Sequence, residues 1–539
     1  MTSAAHAIGA TDRPLLEETI GSVFDRTVAA HADHEALVVP FQGVRLTYRQ
    51  LAEQVDRLAR GLLGLGLEKG DRLGMWSPNN AEWVYLQFAA AKAGVILVNI
   101  NPAYQTEELR FALSQSGCRA LVSATGFKSS DYAAMIAAVR VSLPDLEHVI
   151  FLGTTDWDAL LAGGDRVTAD DLADRAASLT NRDPINIQYT SGTTGFPKGA
   201  TLSHRNLLNN GHFLGEGFRY TEADRVCIPV PFYHCFGMVI GNLACLTHAT
   251  TTVLPAPSFD ALSTLQAVEA ERCTSLLGVP TMFIAMLGHP EFHNFDLSSL
   301  RTGMMAGSPC PIEVMKQCVD EMHMHEVTIG YGMTETSPVS TQTSPDDALE
   351  KRVGTVGRVH PHVQVKIIEP ATGVVVGRNE PGELCTKGYS VMLGYWNEPQ
   401  MTAEAIDADG WMHSGDIAVM DDEGYVNIVG RIKDMIIRGG ENIYPREVEE
   451  FLYTHPDIID VQVVGVPDAK YGEELVAWIR LREGATMSRD DVAAFCSGRI
   501  AHFKVPRYVH ITDDFPMTVT GKIKKYRMRE ISIDLLGLV

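Results

Sequence analysis

Residues 48–100 alternate two periodicities, and that alternation restricts the fold more than any other feature of the chain. In "YRQLAEQVDRLARGLLGLG" the apolar residues Leu51, Val55, Leu58 and Leu62 recur at helical spacing. "DRLGMWS" then reads as a short strand, "NAEWVYLQFAAAKAG" as a second helix and "VILVNI" as a continuous apolar strand. Strands joined through helices predict an α/β fold with a parallel sheet covered by helices. The rhythm continues through "RVCIPV", "TTVLPA" and "TSLLGVP". After about residue 360 the texture changes to short strands and turns, as in "VQVKIIE", "GELCTKG" and "EGYVNIVG". A small α+β unit follows "GRIKDMIIRGGENIYPREVEE", whose Pro445 suits the first turn of a helix. A chain of 539 residues exceeds one compact core, so two domains are expected, 1–432 and 433–539.

The loop "TSGTTGFPKGA" (Thr190 to Ala200) concentrates glycine, hydroxyl residues and a lysine, a composition suited to phosphate. It fails as a Walker loop. Pro197 precedes Lys198 and Gly199 follows it, so no hydroxyl adjoins the lysine to hold magnesium. The next helix is expected only at the N-cap Ser203. The loop therefore reads as a turn between two strands, offering backbone amides and hydroxyls rather than a helix dipole.

Further motifs follow in a fixed order: "PFYHCFG", "AGSPCP", "YGMTE", "HSGD", "GRIKDMIIRGGENIYP" and "TVTGKIKK". Together with the loop they resemble the adenylate-forming superfamily of acyl-CoA synthetases, firefly luciferase and peptide-synthetase adenylation domains. The resemblance runs from about residue 30 to the C-terminus and is nearest to medium-chain fatty acyl-CoA synthetases. It implies a large N-terminal domain with mostly parallel, helix-covered sheets and a small distorted barrel, plus a mobile C-terminal domain hinged at Lys433. It also implies a two-step reaction: a carboxylate attacks the α-phosphorus of ATP, then coenzyme A displaces AMP from the acyl-adenylate.

The same resemblance gives the residues roles. Thr190, Ser191, Gly192, Thr193, Thr194, Gly195 and Lys198 would hold the leaving pyrophosphate. Gly307 and Ser308 would lie along adenine, with Gly330, Tyr331 and Gly332 beside them. Thr334 would meet the α-phosphate and Glu335 would bind Mg2+. Asp416 and Arg431 would take the ribose. Arg438, Gly439, Gly440 and Glu441 would line the pantetheine tunnel, and His234 would orient the carboxylate. Lys522 would reach in from the small domain to bridge carboxylate and phosphate, as a compact charge on a long stem. Read alone, most of these residues have plainer uses. A Thr-Glu pair suits a helix N-terminus, "HSGD" suits a turn, a histidine among aromatics suits a core, and "TGK" suits a solvated turn.

For the acid, Gly332 stands where acetyl-specific relatives carry Trp, which suggests an open pocket floor. His234, Phe236, Met305 and Met333 would complete the lining, methionine being adaptable. Medium-chain fatty acids are the expected substrates, with aryl acids or transfer to a carrier protein as alternatives. Amino-acid activators place an aspartate in or beside "PFYHCFG", and none is present. A luciferase-type oxygenase and a non-catalytic scaffold are further options; Glu335, Asp416 and Lys522, all present, argue against the scaffold. The net charge of −22 argues against nucleic acid as a general partner. Nine scattered cysteines without a C-x-x-C pair argue against a disulfide framework or structural zinc and for a reducing compartment. No secretory signal or membrane-spanning run is read, so a cytoplasmic enzyme of small molecules is expected, with a homodimer left open.

Overall fold

The computed structural model describes residues 3–190, 197–439, 441–518 and 522–538. Two large sheets form its body. In one, the parallel strands Pro184–Thr190, Ile96–Asn99, Arg72–Trp76, Ala120–Ser123 and His148–Phe151 are extended by the antiparallel Lys198–Ser203 and Gly394–Tyr395. In the other, of nine strands, the six from Glu35–Val39 across to Glu326–Gly332 run parallel, with antiparallel strands at both ends.

Helix positions follow local chemistry. Thr47 and Gln50 form a reciprocal capping box at Tyr48–Gly64, whose buried face carries Leu51, Val55, Leu58 and Leu62. Ala81–Ala93 starts on the Asn80 side chain and ends at Gly94. It is apolar nearly all round because other helices and the sheets enclose it.

The third sheet is a five-stranded antiparallel half-barrel, ordered His6–Ile8, Val363–Ile368, Gly382–Gly388, Met412–Met420 and Val426–Arg431. Among the described residues no ladder joins its two edges, so the expected barrel is an open one. The last segment builds its own sheet around the long hairpin Ile458–Asp468 and Gly472–Leu481, joined by Ile436–Arg438 and Tyr508–Ile511. Its two apolar cores begin at Ile436, whereas the described core of the preceding sheets ends at Ile428. Pro445 opens the helix Pro445–Tyr453 as expected. No helix among the described residues is long and apolar enough to cross a membrane.

Candidate active site

The glycine-rich loop joins two antiparallel strands whose ends, Thr190 and Lys198, pair directly. Ser203 then caps His204–Gly217 through a capping box with Asn206. A hairpin base, not a helix N-terminus, thus presents Lys198. Ser191, Gly192, Thr193, Thr194 and Gly195, and Gly440 of the tunnel group, lie outside the described residues.

Glu335 belongs to a short helical turn, Thr334–Thr336, that follows the strand Glu326–Gly332, and Thr334 and Glu335 are both buried. Oε1 of Glu335 accepts hydrogen bonds from the Thr190 hydroxyl (3.2 Å) and the Tyr395 hydroxyl (2.9 Å). Lys198 Nζ stands 5.2 Å from the Tyr395 ring, so one chain of contacts runs from Lys198 through Tyr395 and Glu335 to Thr190. Nothing in the sequence singles out Tyr395. It sits in "GYWNEP", two hundred residues from the loop it supports.

Asp416 lies in a strand, Met412–Met420, rather than a turn, opposite Arg431 in the ladder. Arg431 Nε donates to its Oδ1 at 2.9 Å and the Tyr331 hydroxyl donates to its Oδ2 at 2.7 Å. Burial, reinforced by Asp416, pushes the Tyr331 phenol well above its ordinary range, so it stays a donor. Each carboxylate oxygen keeps a lone pair for a further hydroxyl.

His234 leads into a buried π-helical segment, Phe236–Leu243, a rare geometry concentrated at functional sites. The Phe236 amide donates to His234 Nδ1 at 3.2 Å. Burial, with the nearby charge of Lys522, pulls the imidazole down to about 3. His234 is therefore neutral at physiological pH, and with Nδ1 accepting, its proton sits on Nε2. The adjacent Cys235 is pushed up to about 11 by burial and is an inert thiol.

Lys522 comes from the small C-terminal unit yet stands among residues of the large one. Its Cε passes 3.6 Å from where a Cβ on Gly307 would sit, so the lysine stem packs beside this residue, and the φ of +90° there suits glycine. Burial pushes the ammonium below the usual lysine range, Arg431 adds to this, and Cys235, Glu335 and Asp416 oppose it. Ser308 follows Gly307 at the exit of the strand Thr302–Ala306. Lys522, His234, Glu335, Asp416, Arg431 and Gly307 thus share one cleft at the C-terminal ends of the central strands, where α/β sheets bind ligands.

Two contacts that the sequence did not disclose dock the small unit beside this cleft. Arg446 donates to the carbonyl of Ile428 at 3.0 Å. Glu450, half-buried and raised by its loss of solvent, meets the backbone of Ile312 and lies 3.6 Å from Arg446.

Other expected positions divide. Phe236 and Met305 are fully packed core, and Met333 lies against it. Gly330 is closed over by Met304, 2.6 Å from where a Cβ would sit. The open floor is not needed to explain Gly332: a Cβ there would meet the Pro338 carbonyl oxygen at 1.9 Å, so close strand approach accounts for this glycine. Gly332→Ala is expected to cost about 1–3 kcal/mol of stability, read as a lower denaturant midpoint. An unchanged midpoint with a shifted acid preference would restore the open floor.

Arg438 pairs with the buried Glu474 at 2.9 Å and donates to the Phe503 carbonyl at 2.7 Å, so it ties the small unit together. Gly439 stands at the tip between Ile436–Arg438 and Glu441–Ile443. Lys433 is exposed in the turn Ile432–Asp434 between the two units' cores.

A family profile described as AMP-binding enzyme matches residues 24–396, and one described as AMP-binding enzyme C-terminal domain matches residues 447–522. The chain is 48% identical, over 97% of its length, to 99% of a Bacillus subtilis (strain 168) protein named putative acyl-CoA synthetase YngI. It is 45% identical, over 97% of its length, to 89% of the human mitochondrial medium-chain acyl-CoA ligase ACSF2. Among solved structures, the anthranilate CoA ligase AuaEII in complex with anthranoyl-AMP matches with a TM-score of 0.86 at 25% identity, over 98% of this chain and 99% of that one.

Proposed function

The chain belongs to the AMP-binding enzyme family, and from that premise we propose that it is an AMP-forming carboxylic acid–CoA ligase acting on medium-chain fatty acids. The observation that carries this reading is the convergence of Lys522 with His234, Glu335, Asp416 and Arg431. In the first step a fatty carboxylate attacks the α-phosphorus of ATP and pyrophosphate leaves. Two anions must meet, so positive charge and directed donors lower the barrier. Lys522 bridges the carboxylate and the α-phosphate, joined by the Thr334 hydroxyl. His234 donates its Nε2 proton in a hydrogen bond to the carboxylate and fixes its attacking oxygen. Lys198 and Thr190 hold the departing pyrophosphate. Asp416 and Arg431 take the ribose hydroxyls, while Gly307, Ser308 and Tyr331 border the adenine.

Glu335 fits a hard cation. Among the described residues its hydrogen bonds fall on Oε1 alone, which leaves Oε2 as an anionic oxygen donor. Mg2+ held there would supply neutralisation of phosphate charge.

In the second step the thiol of coenzyme A attacks the acyl carbonyl and AMP leaves. Lys522 must then withdraw, and we place the division between domains at residues 432 and 433, with Lys433 as the hinge. The gap between the two sets of cores, from Ile428 to Ile436, supports this boundary. Gly439 and Glu441 would then approach the pantetheine. The nine cysteines, all free and buried, support a reducing compartment, and we assign the enzyme to the cytoplasm.

The relative named for medium-chain acids favours a fatty acid, and the anthranilate ligase keeps an aryl acid as the second reading. Pyrophosphate release across a panel of fatty and aryl acids, with and without coenzyme A, separates them. The expected result is strongest release with medium-chain acids and turnover only with coenzyme A. Preference for aryl acids selects the second reading, and acyl transfer to a carrier protein alone overturns both.

A further inference from the structure

Three metal-ligating side chains without a part in the proposed chemistry converge on one face of the half-barrel. Glu383 and Cys385 are two residues apart on Gly382–Gly388, so the pleat sends them to the same side. Cys385 stands directly opposite His413 of Met412–Met420. One ligand atom from each lies within 4.8 Å of the others, and no other such group occurs among the described residues. Cys385 Sγ is 3.6 Å from His413 Nδ1, which is 3.1 Å from Glu383 Oε2. A tetrahedral ion with bonds of about 2.3 Å to sulfur and about 2.0 Å to nitrogen and oxygen spans ligand edges of roughly 3.3–3.6 Å. Two of the three edges, sulfur to nitrogen and nitrogen to oxygen, therefore already stand close to those of a coordination tetrahedron, and the third lies within 4.8 Å.

We propose that Cys385 Sγ, His413 Nδ1 and Glu383 Oε2 form a site for one soft divalent transition-metal ion such as Zn2+, with water as the fourth ligand. Sulfur and imidazole select this class over Mg2+ or Ca2+. The supporting groups are also in place. Asp407 Oδ2 lies 3.8 Å from His413 Nε2, which orients the ring so that Nδ1 faces the ion. Glu383 keeps its other oxygen on the Gly415 amide at 3.0 Å, so the ion is tied to the strand residue preceding Asp416. His413, about one-third exposed, gives the entry path.

Two groups oppose the ion and set its cost. Burial pushes the Cys385 thiol up to about 12, so binding must break the S–H bond, release that proton to solvent and form the S–metal bond in its place. Lys366 lies near the same sulfur, although its ammonium is drawn 4.3 Å over the Trp411 ring.

The test uses the full chain, stripped of metal and kept reduced, titrated with Co2+ alone and then with Zn2+. The expected result is one Co2+ per chain with a thiolate-to-cobalt charge-transfer band in the near ultraviolet, abolished by Zn2+. Cys385→Ser removes the band, and His413→Gln weakens Zn2+ binding by about 10–100-fold. Absence of the band from the wild-type chain, or its survival in Cys385→Ser, overturns the proposal. Should Cys385→Ser fail to fold, equal Zn2+ affinity of the wild type and the His413→Gln variant, changed at a partly exposed position, overturns it equally.

Discussion

Lys522→Ala is expected to lower acyl-adenylate formation by at least about 10²–10³-fold while leaving thioester formation from supplied acyl-adenylate within a few-fold of wild type. The two half-reactions diverge because only the first joins two anions. The lysine is held for that step: the Thr518 amide donates to the Lys522 carbonyl at 2.7 Å, and the Lys522 amide donates to the Thr518 hydroxyl at 3.0 Å. The following helix keeps its own anchor, Lys525 to Glu449 at 2.6 Å, so the small unit stays folded in the variant. Stability should not fall, since the substitution removes an ammonium that is buried and repelled by Arg431. The pH dependence follows from the same surroundings. The active form is protonated and its pKa is lowered, so adenylation is present below that pKa and lost as pH rises through it. The alkaline limb should fall below the ordinary lysine range. Single-turnover measurement of each half-reaction decides the matter. Equal loss in both would show that Lys522 is not specific to the adenylation step, and no loss in either would return "TGK" to the solvated turn it resembles.

What the sequence discloses here is what depends on neighbours in the chain. The placement of "TSGTTGFPKGA" between two strands, the N-cap at Ser203 and the short strand in "EGYVNIVG" are local, and each is found in place. The ordered motifs carry the positions of Glu335, Asp416 and Lys522 because each motif is short and continuous. Tyr395 stayed hidden because its role exists only once the strand Gly394–Tyr395 pairs beside Lys198–Ser203. Arg446 and Glu450 read as an ordinary i,i+4 helix pair, and only docking against Ile428 and Ile312 gives them a second task. Gly332 misleads for the same reason. The direction a side chain would take there is fixed by the pairing of Glu326–Gly332 with Val339–Gln342, which no residue count near Gly332 announces.

Glu335→Gln tests whether that side chain holds a cation or merely begins a helical turn. The substitution keeps size and shape, and the amide oxygen still accepts from the Tyr395 and Thr190 hydroxyls that now meet Oε1. The protein should therefore lose about 1 kcal/mol of stability or less, because the Tyr395 and Thr190 hydroxyls keep their acceptor. Activity should respond very differently. The amide nitrogen would replace the Oε2 oxygen with a donor that repels a cation, and the fixed negative charge would vanish. The expected result is a loss of about 10²–10³-fold in kcat for adenylation, with the Mg2+ concentration for half-maximal rate raised and partial recovery at high Mg2+. If Glu335 serves only the turn Thr334–Thr336, its charge matters by a few tenths of a kcal/mol at the helix terminus and activity stays near wild type. Mg2+ titrations of the adenylation rate beside denaturant curves separate the two. A variant as active as the wild type, at the same Mg2+ concentration, would return Glu335 to a structural residue and leave the phosphate charge to Lys198 and Lys522 alone.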